Sequence, residues 1–593
     1  MYHERAGSTH VGDASDWTWT RFDEPRWART RSTRRLALCI TLALVVGFFF
    51  RDAIGTGLTG LYGDSYDGLI EISILEHWYA VVARGASWSE VGYFHPYPAT
   101  LGYNDTYLVP GVFYAAARLL GADPFLSAFA SHVAMKAIGF LGMYVLLRRG
   151  TGVRTGLALA GAALFATANA SLLHMLHGQL LSVGLLPWLG FVAIRTAQAL
   201  AASDGRALYR SGVALALLYG LTAFNAFYAA WFFAFFMMLF TAVGVVAAGP
   251  RRRATLLRSI RRQAVPIAVL LVVALLALLP LFALYLPKIA QGARHDWTEG
   301  ASRFLLSPST LVNVGGGNLV WGGLLDGGIQ ALTGHPPFRG EARFGITPGL
   351  IVVAAAATVW AARDRSRGRL ALALGCTLAV ALLLMARGPG GFTLWRHVYD
   401  LVPGADTVRV VSRFLLFALV PVILIVTIFL DRSGRRPRTV AAVVAFLLFE
   451  QIQLGAPLAV DRPREMAMLS SVGAPPANCR AFFVVSARPD GRDVLAEAKR
   501  ISRAWNDEPA RDLAANYRHN VDAMLLASYY GRPTINGFSS FQPPDWAFGS
   551  PDSPDYAKRV RDYAARHRIT GLCGLDRRRR PHWFKLAPDA SGR

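Results

Sequence analysis

Apolar residues along this chain fall into long runs separated by short, arginine-rich polar stretches. Runs of about 18–25 apolar residues are long enough to cross a bilayer as helices. They predict spans at about 36–54, 125–147, 155–173, 180–200, 264–287, 346–362, 370–387, 411–430 and 439–455. Residues 211–248 are about twice the length one crossing needs, and polar Asn225 sits near their middle. Charge decides how to divide them. A single long helix would put the six arginines between 251 and 262 outside, on the face opposite the Arg clusters that precede them. Two spans with a turn at 224–228 restore agreement, and the total becomes eleven.

The segments between runs predict the rest. Residues 1–35 read as a polar, disordered cytoplasmic tail, and 36–455 as the transmembrane domain, with outer loops at 55–123 and 288–345. In the first loop, Leu69 to Ala83 has the mixed helical spacing of a helix lying in the membrane interface. Tyr107 to Leu120 is apolar but short and broken by Pro110 and Gly111, which predicts a second interfacial or re-entrant helix. Residues 456–593 are too polar to span. AFFVVSA and ITGLCGL read there as buried strands, DVLAEAKRISRAW and YAKRVRDYAARHR as amphipathic helices. The expected fold is an all-α polytopic membrane protein with a small C-terminal α/β extracytoplasmic domain.

Composition sharpens this picture. The chain has 593 residues, 53% of them hydrophobic, and a formal net charge of +24. The arginines sit in short clusters between apolar runs, which disfavours nucleic acid as a partner and fits the positive-inside rule. The rule puts the N-terminus in the cytoplasm and the C-terminal domain outside a bacterial-type cytoplasmic membrane. Cys39 and Cys376 lie in apolar runs, and no zinc-type spacing exists. Cys479 and Cys573 each fall in or beside a strand of the outer domain, where an oxidising compartment permits a disulfide; two buried free thiols explain them equally well.

Candidate chemistry concentrates in the loop LYGDSYDGLIEISILEHWYAVVARGASWSEVGYFHPYPATLGYNDTY, residues 61–107. A carboxylate at the mouth of a membrane cavity is suited to taking a proton from a hydroxyl, so Asp64, Asp67 and Asp105 are candidate catalytic acids. Each is also a credible helix N-cap. His95, within HPYP, is the candidate catalytic histidine, whereas His174 and His177 suggest either metal binding or, the stronger reading, polar turn residues. Lys136 lies near the middle of the second span, where a cation is costly; it either faces a cavity or pairs with Glu450.

The order of these features resembles the GT-C superfamily of membrane glycosyltransferases. The matching residues are GDSYD (Asp64, Asp67), then HPYPATLGYND ending at Asp105. VYDLVPGADTVRVVSRF, Val398 to Phe414, resembles the Pro-Gly…Arg…Arg-Phe element of bacterial GT-C-like proteins related to teichoic-acid glycosylation. The resemblance implies a polyprenyl-phosphate-linked sugar as donor and a glycan, polymer or lipid hydroxyl on the outer face as acceptor. It implies a first-loop acid as base, Asp64 or Asp67, with Asp64 favoured. Some such enzymes bind a divalent metal, which makes Mg or Mn a candidate cofactor, although an Asp-x-x-Asp spacing does not itself establish one. A lipid phosphate needs cationic anchors, and Arg294, Arg303, Arg409, Arg413 and Lys136 are the candidates; the guanidinium forks of the four arginines match phosphate oxygens, although interfacial snorkelling accounts for such arginines as well. The competing readings are a lipid or glycan flippase and a non-catalytic envelope-assembly protein.

Overall fold

The structure is a computed structural model that describes residues 28, 30–64, 66–298, 300–334, 343–455, 458–485, 510–551, 553–577 and 580–586, with the backbone alone for 510–517. Most of the expected polar tail, HPPFRG (335–340) and DVLAEAKRISRAW (493–505) lie outside the described residues.

Among the described residues, nine helical segments are long and apolar enough to cross a membrane: Arg31–Phe49, Pro124–Gly150, Thr155–Leu173, Gly178–Ala201, Gly205–Asn225, Phe227–Ala247, Ala264–Ala290, Arg365–Met385 and Val411–Arg432. The other two expected spans are shorter helices, Pro348–Arg363 and Pro437–Phe449. Glu450 marks where the second ends and the first begins. It follows directly after Phe449, and its buried carboxylate accepts the backbone N–H groups of Gly349 (2.9 Å) and Leu350 (2.8 Å) at the start of the neighbouring helix. A carboxylate there satisfies donors that the first helical turn leaves orphaned. Thr347 Oγ1 and Trp321 Nε1 also donate to it, at 2.6 and 2.8 Å.

The break within 211–248 falls at Asn225. Ala226 leaves helical geometry (φ −155°, ψ 111°), so the chain turns and begins Phe227–Ala247. Asn225 holds the turn: its Oδ1 accepts Val109 N–H and its Nδ2 donates to Ser182 Oγ, both at 2.7 Å. At the centre of the bundle, Phe414–Arg432 is buried along its whole length. It packs against Thr155–Ala166, Pro348–Arg363 and Arg365–Met385. A helix apolar on every side is what a core position in a helical bundle requires.

An eleven-span alternation sorts the connectors into two sets, and members of each set touch one another. On one face Arg154 pairs with Asp431 (2.6 Å), Arg432 donates to the carbonyls of Thr151 and Arg367, and Gln263 donates to that of Ser203. On the other, Tyr107 donates to Gln179, and Phe227 N–H to Asp105. Strands β1 (Gly60–Leu61) and β2 (Val460–Asp461) pair there, joining the loop after the first span to the segment that follows Pro437–Phe449.

The C-terminal part packs on this second face. Strands β3 (Ala481–Val484), β4 (Leu572–Asp576) and β5 (His582–Lys585) form one sheet in that order, β3–β4 parallel and β4–β5 antiparallel. Cys479 and Cys573 are disulfide-bonded, with Cα atoms 5.7 Å apart. The helices Ala510–Tyr530 and Tyr556–Arg566 complete the layer.

Two expectations change. The helix Asp67–Arg84 does not lie with one face in the membrane interface. It is buried from Gly68 to Trp78, enclosed by Leu108–Leu119, Pro124–Val145 and Ala510–Tyr530. Its Glu76 explains the close fit, taking Arg118 Nε (2.9 Å), Arg118 Nη2 (3.2 Å) and Tyr114 OH (2.7 Å). Lys136 does not pair with Glu450. Its Nζ donates to Ser171 Oγ (2.6 Å) and Ala166 O (3.2 Å) and lies 3.7 Å from the centre of the Phe49 ring.

Candidate active site

Asp64 sits between β1 and the helix Asp67–Arg84. Its Oδ1 accepts the backbone N–H groups of Tyr66 and Gly68, each at 2.9 Å. Burial, and after it the nearby Asp67 carboxylate, lift its pKa to about 6 against the two N–H groups and His177. Oδ2 has no hydrogen bond among the described residues. The result is a partly covered carboxylate with one oxygen fixed and a proton affinity near neutral pH.

Asp67 opens the helix, and its Oδ2 lies 2.8 Å from His177 Nδ1. His177 comes from the polar connector between the third and fourth spans, more than a hundred residues away in sequence. One turn along the helix, buried Glu71 lies 2.9 Å from His132 Nε2. Gly178 packs directly on the Glu71 carboxylate, so close that a Cβ there would overlap both oxygens. The connector is therefore held at two adjoining points, His177 on Asp67 and Gly178 on Glu71.

The next residue leads to the second half of the site. Gln179 Oε1 accepts the Tyr107 hydroxyl at 2.8 Å. Burial raises the Tyr107 pKa far up, and Glu71, Asp105 and Asp67 add to the rise. Gln179 also lines a pocket with Asp105, Tyr228, Phe232, Arg413 and Phe417. Asp105 Oδ1 takes Phe227 N–H at 3.0 Å; burial raises its pKa, while that N–H and Arg413 oppose the rise. Arg413 is buried, with its guanidinium 5.0 Å from the centre of the Tyr228 ring. The Tyr228 hydroxyl accepts Arg409 N–H at 2.9 Å. His295 belongs to the same group: burial drives its pKa down to about 4, helped by Arg409 and Arg413, so its ring is neutral.

Asp64, Asp67, Asp105, Arg409 and Arg413 thus gather around the connectors of one face. The other candidates take no part in these hydrogen bonds. His95 sits against the C-terminal layer, its N–H donating to Thr534 O (2.9 Å) and its carbonyl accepting Tyr563 OH (3.0 Å). Burial lowers its pKa. Arg294 and Arg303 are exposed on the loop after Ala264–Ala290, Arg294 next to His295 in sequence and Arg303 in the turn Ala301–Phe304 that packs on Val411–Arg413. Lys136 is buried among Ser171, Ala166 and Phe49, one helical turn from His132. His174 does not join His177; it stacks on Phe344 with ring centres 3.5 Å apart.

Sequence reading passes over His177, Glu71, Tyr107, Gln179 and His295. The one local signal for His177 is a polar turn on the connector face that carries the acids. As for Mg or Mn, no three His, Cys, Asp or Glu side chains converge as a ligand set among the described residues. Asp67 is engaged by His177 and Asp64 Oδ1 by backbone N–H groups, while Asp64 Oδ2 accepts no hydrogen bond among the described residues.

No protein-family model matches the chain, and no curated protein matches it. Among solved structures it is similar to the arabinofuranosyltransferase AftD from mycobacteria, at 16% identity and a TM-score of 0.40, over 77% of this chain and 30% of that one. It is also similar to the oligosaccharyltransferase of Archaeoglobus fulgidus in complex with Zn and sulfate, at 13% identity and a TM-score of 0.45, over 91% of this chain and 67% of that one. A structure of the archaeal enzyme with an inhibitory peptide and a dolichol-phosphate gives 12% identity and a TM-score of 0.41, over 92% and 69%. The chain spans less than a third of AftD's length. Likenesses this distant carry no conclusion about activity.

Proposed function

We propose that this protein is a GT-C-like membrane glycosyltransferase that moves a sugar from a polyprenyl-phosphate carrier to an acceptor hydroxyl at the connector face bearing Asp64. The observation that carries the reading is Asp64 itself. A carboxylate with one oxygen fixed, the other without a hydrogen bond among the described residues, and a pKa of about 6 is matched to general-base work near neutral pH. The order of GDSYD, GYND and the Pro-Gly…Arg…Arg-Phe segment along the chain supports the same class.

In this reaction the acceptor oxygen attacks the anomeric carbon while its proton passes to Asp64. The bond from that carbon to the phosphate oxygen breaks, and the electron pair leaves with the polyprenyl phosphate. Arg413, with Arg409 beside it, stabilises the charge that builds on that oxygen; a preorganised cation in a water-poor site does this well. The pocket of Arg413 is apolar on its Phe232 and Phe417 side and, at about 20 Å³, must widen to admit a phosphate joined to a hydrocarbon. Asp67 and His177 hold the connector against the base. The site faces the outside of a cytoplasmic membrane, with the N-terminus inside and the C-terminal layer covering the acceptor side.

Asp64→Asn keeps both backbone hydrogen bonds and removes the proton affinity. Transfer from a short polyprenyl-phosphate sugar should fall about 10²–10⁴-fold with near-normal expression. A larger fall in Asp67→Asn moves the base to that residue. Transfer close to wild type in both single variants and the double variant sinks the catalytic reading in favour of a non-catalytic glycan-binding protein.

A further inference from the structure

On the opposite face, where the arginine clusters lie, a groove of about 720 Å³ opens between the spans Leu186–Ala201 and Gly205–Asn225. Arg195, Arg206 and Arg210 line it, with Asp204 as its one acid. Asp204 is occupied as a helix cap, its Oδ1 accepting Ala207 N–H at 3.0 Å. Arg195 reaches Gln198 Oε1 at 3.2 Å. Arg206 and Arg210 pair with no carboxylate among the described residues, and all three arginines are exposed. Phe191 and Val192 supply apolar wall.

Two further features set the depth and character of this groove. The helix Pro250–Arg262 packs against Leu186–Ala201 and carries six arginines beside exposed Leu256, Leu257 and Ile260. A basic helix with apolar residues open to the surroundings belongs at the headgroup level of a membrane. Along Gly205–Asn225, Leu217 and Leu221 are exposed, so the flank on which the groove opens is hydrocarbon-facing. Gln263 donates to Ser203 O at 2.9 Å and pins the loop at the groove's end.

We infer that this groove binds the headgroup of an anionic phospholipid from the adjoining leaflet, its phosphate among Arg195, Arg206 and Arg210 and its acyl chains along Phe191 and Val192. Forked guanidinium groups suit phosphate oxygens, and basic pockets between spans suit acidic headgroups. The lining charge of three arginines against one aspartate complements an acidic lipid and not a zwitterionic one. A soluble phosphate would use the arginines but leave the apolar wall and the lateral opening unexplained. The inference does not rest on the proposed transfer reaction, since the groove is on the other face.

The test is native mass spectrometry of the full chain, released from nanodiscs of phosphatidylcholine with one part in ten of phosphatidylglycerol. Wild type should retain phosphatidylglycerol over phosphatidylcholine by at least tenfold, given about fivefold per basic residue near an anionic surface. The triple variant Arg195→Gln, Arg206→Gln, Arg210→Gln should lose that preference. Arg251→Gln, Arg252→Gln, Arg253→Gln, which removes the same charge from the neighbouring helix, should keep it within about twofold. Ala207→Phe keeps every arginine and narrows the groove, so it should lose the lipid as well. Millimolar inorganic pyrophosphate should leave the retained lipid in place. No preference in wild type overturns the inference whatever the variants do. Equal losses in both triple variants, or displacement by pyrophosphate, overturn it in favour of diffuse attraction or a site for free phosphate.

Discussion

Asp64 and Asp67 are three residues apart and held in different ways. Asp67 is paired with His177, whereas Asp64 is held by backbone N–H groups and remains hard to ionise. Its pKa in the fold, about 6, lies above the ordinary aspartate value of 3.8. The folded state therefore binds the extra proton between those values, and stability is lost as pH rises through about 6. A neutral residue here should lose activity and gain stability. Asp64→Asn is expected to melt higher than wild type at pH 7.5 and by much less at pH 4. Wild-type transfer should in turn fall on the acid side with an apparent pKa near 6. Equal melting temperatures at both pH values would show that ionising Asp64 carries no cost. GDSYD is legible in the sequence as an acid pair at the start of a helix. The division of labour is not, because it depends on an imidazole brought from another connector.

At the scale of elements, the spans are readable because apolar length and arginine position are both local properties of the chain. Even the turn at Asn225 follows from charge, since the arginines beyond it allow no other count. The helix Asp67–Arg84 is misread because its mixed spacing suggests an interface. Its polar positions are in fact satisfied by distant partners: Arg118 and Tyr114 on Glu76, His132 on Glu71. Periodicity shows that a residue is polar and cannot show that its partner is another protein group. The connector from His177 to Gln179 depends on that helix. Gly178→Ala should push the connector off Glu71, part His177 from Asp67 and lower transfer by at least about tenfold, on the scale of a 1 Å misplacement in an active site. Membrane insertion should be unchanged. Wild-type transfer by this variant would show that the connector does not position the acid loop.

Across the whole molecule, the two short helices that meet at Glu450 have a consequence for the surrounding bilayer. At about 1.5 Å per residue, Pro348–Arg363 and Pro437–Phe449 rise only about 24 and 20 Å, against a hydrocarbon thickness of about 30 Å. Val352, Val359, Phe446 and Phe449 are exposed along them, so this flank meets lipid directly. The polar residues gathered at their shared end, Thr347, Glu450 and Gln451, cannot move outward, because they hydrogen-bond one another and cap a helix. The lipid has to adapt instead, and hydrophobic mismatch makes the bilayer thin beside this flank. Reconstituted in phosphatidylcholines of increasing acyl length, the protein should be most stable at about 14 carbons and lose stability steadily towards 22. A melting temperature indifferent to chain length would mean that the flank is covered by another protein. Where the membrane is compressed, its polar boundary dips towards the midplane, and a long-chain lipid approaching there travels a shorter distance through hydrocarbon before its headgroup meets the protein.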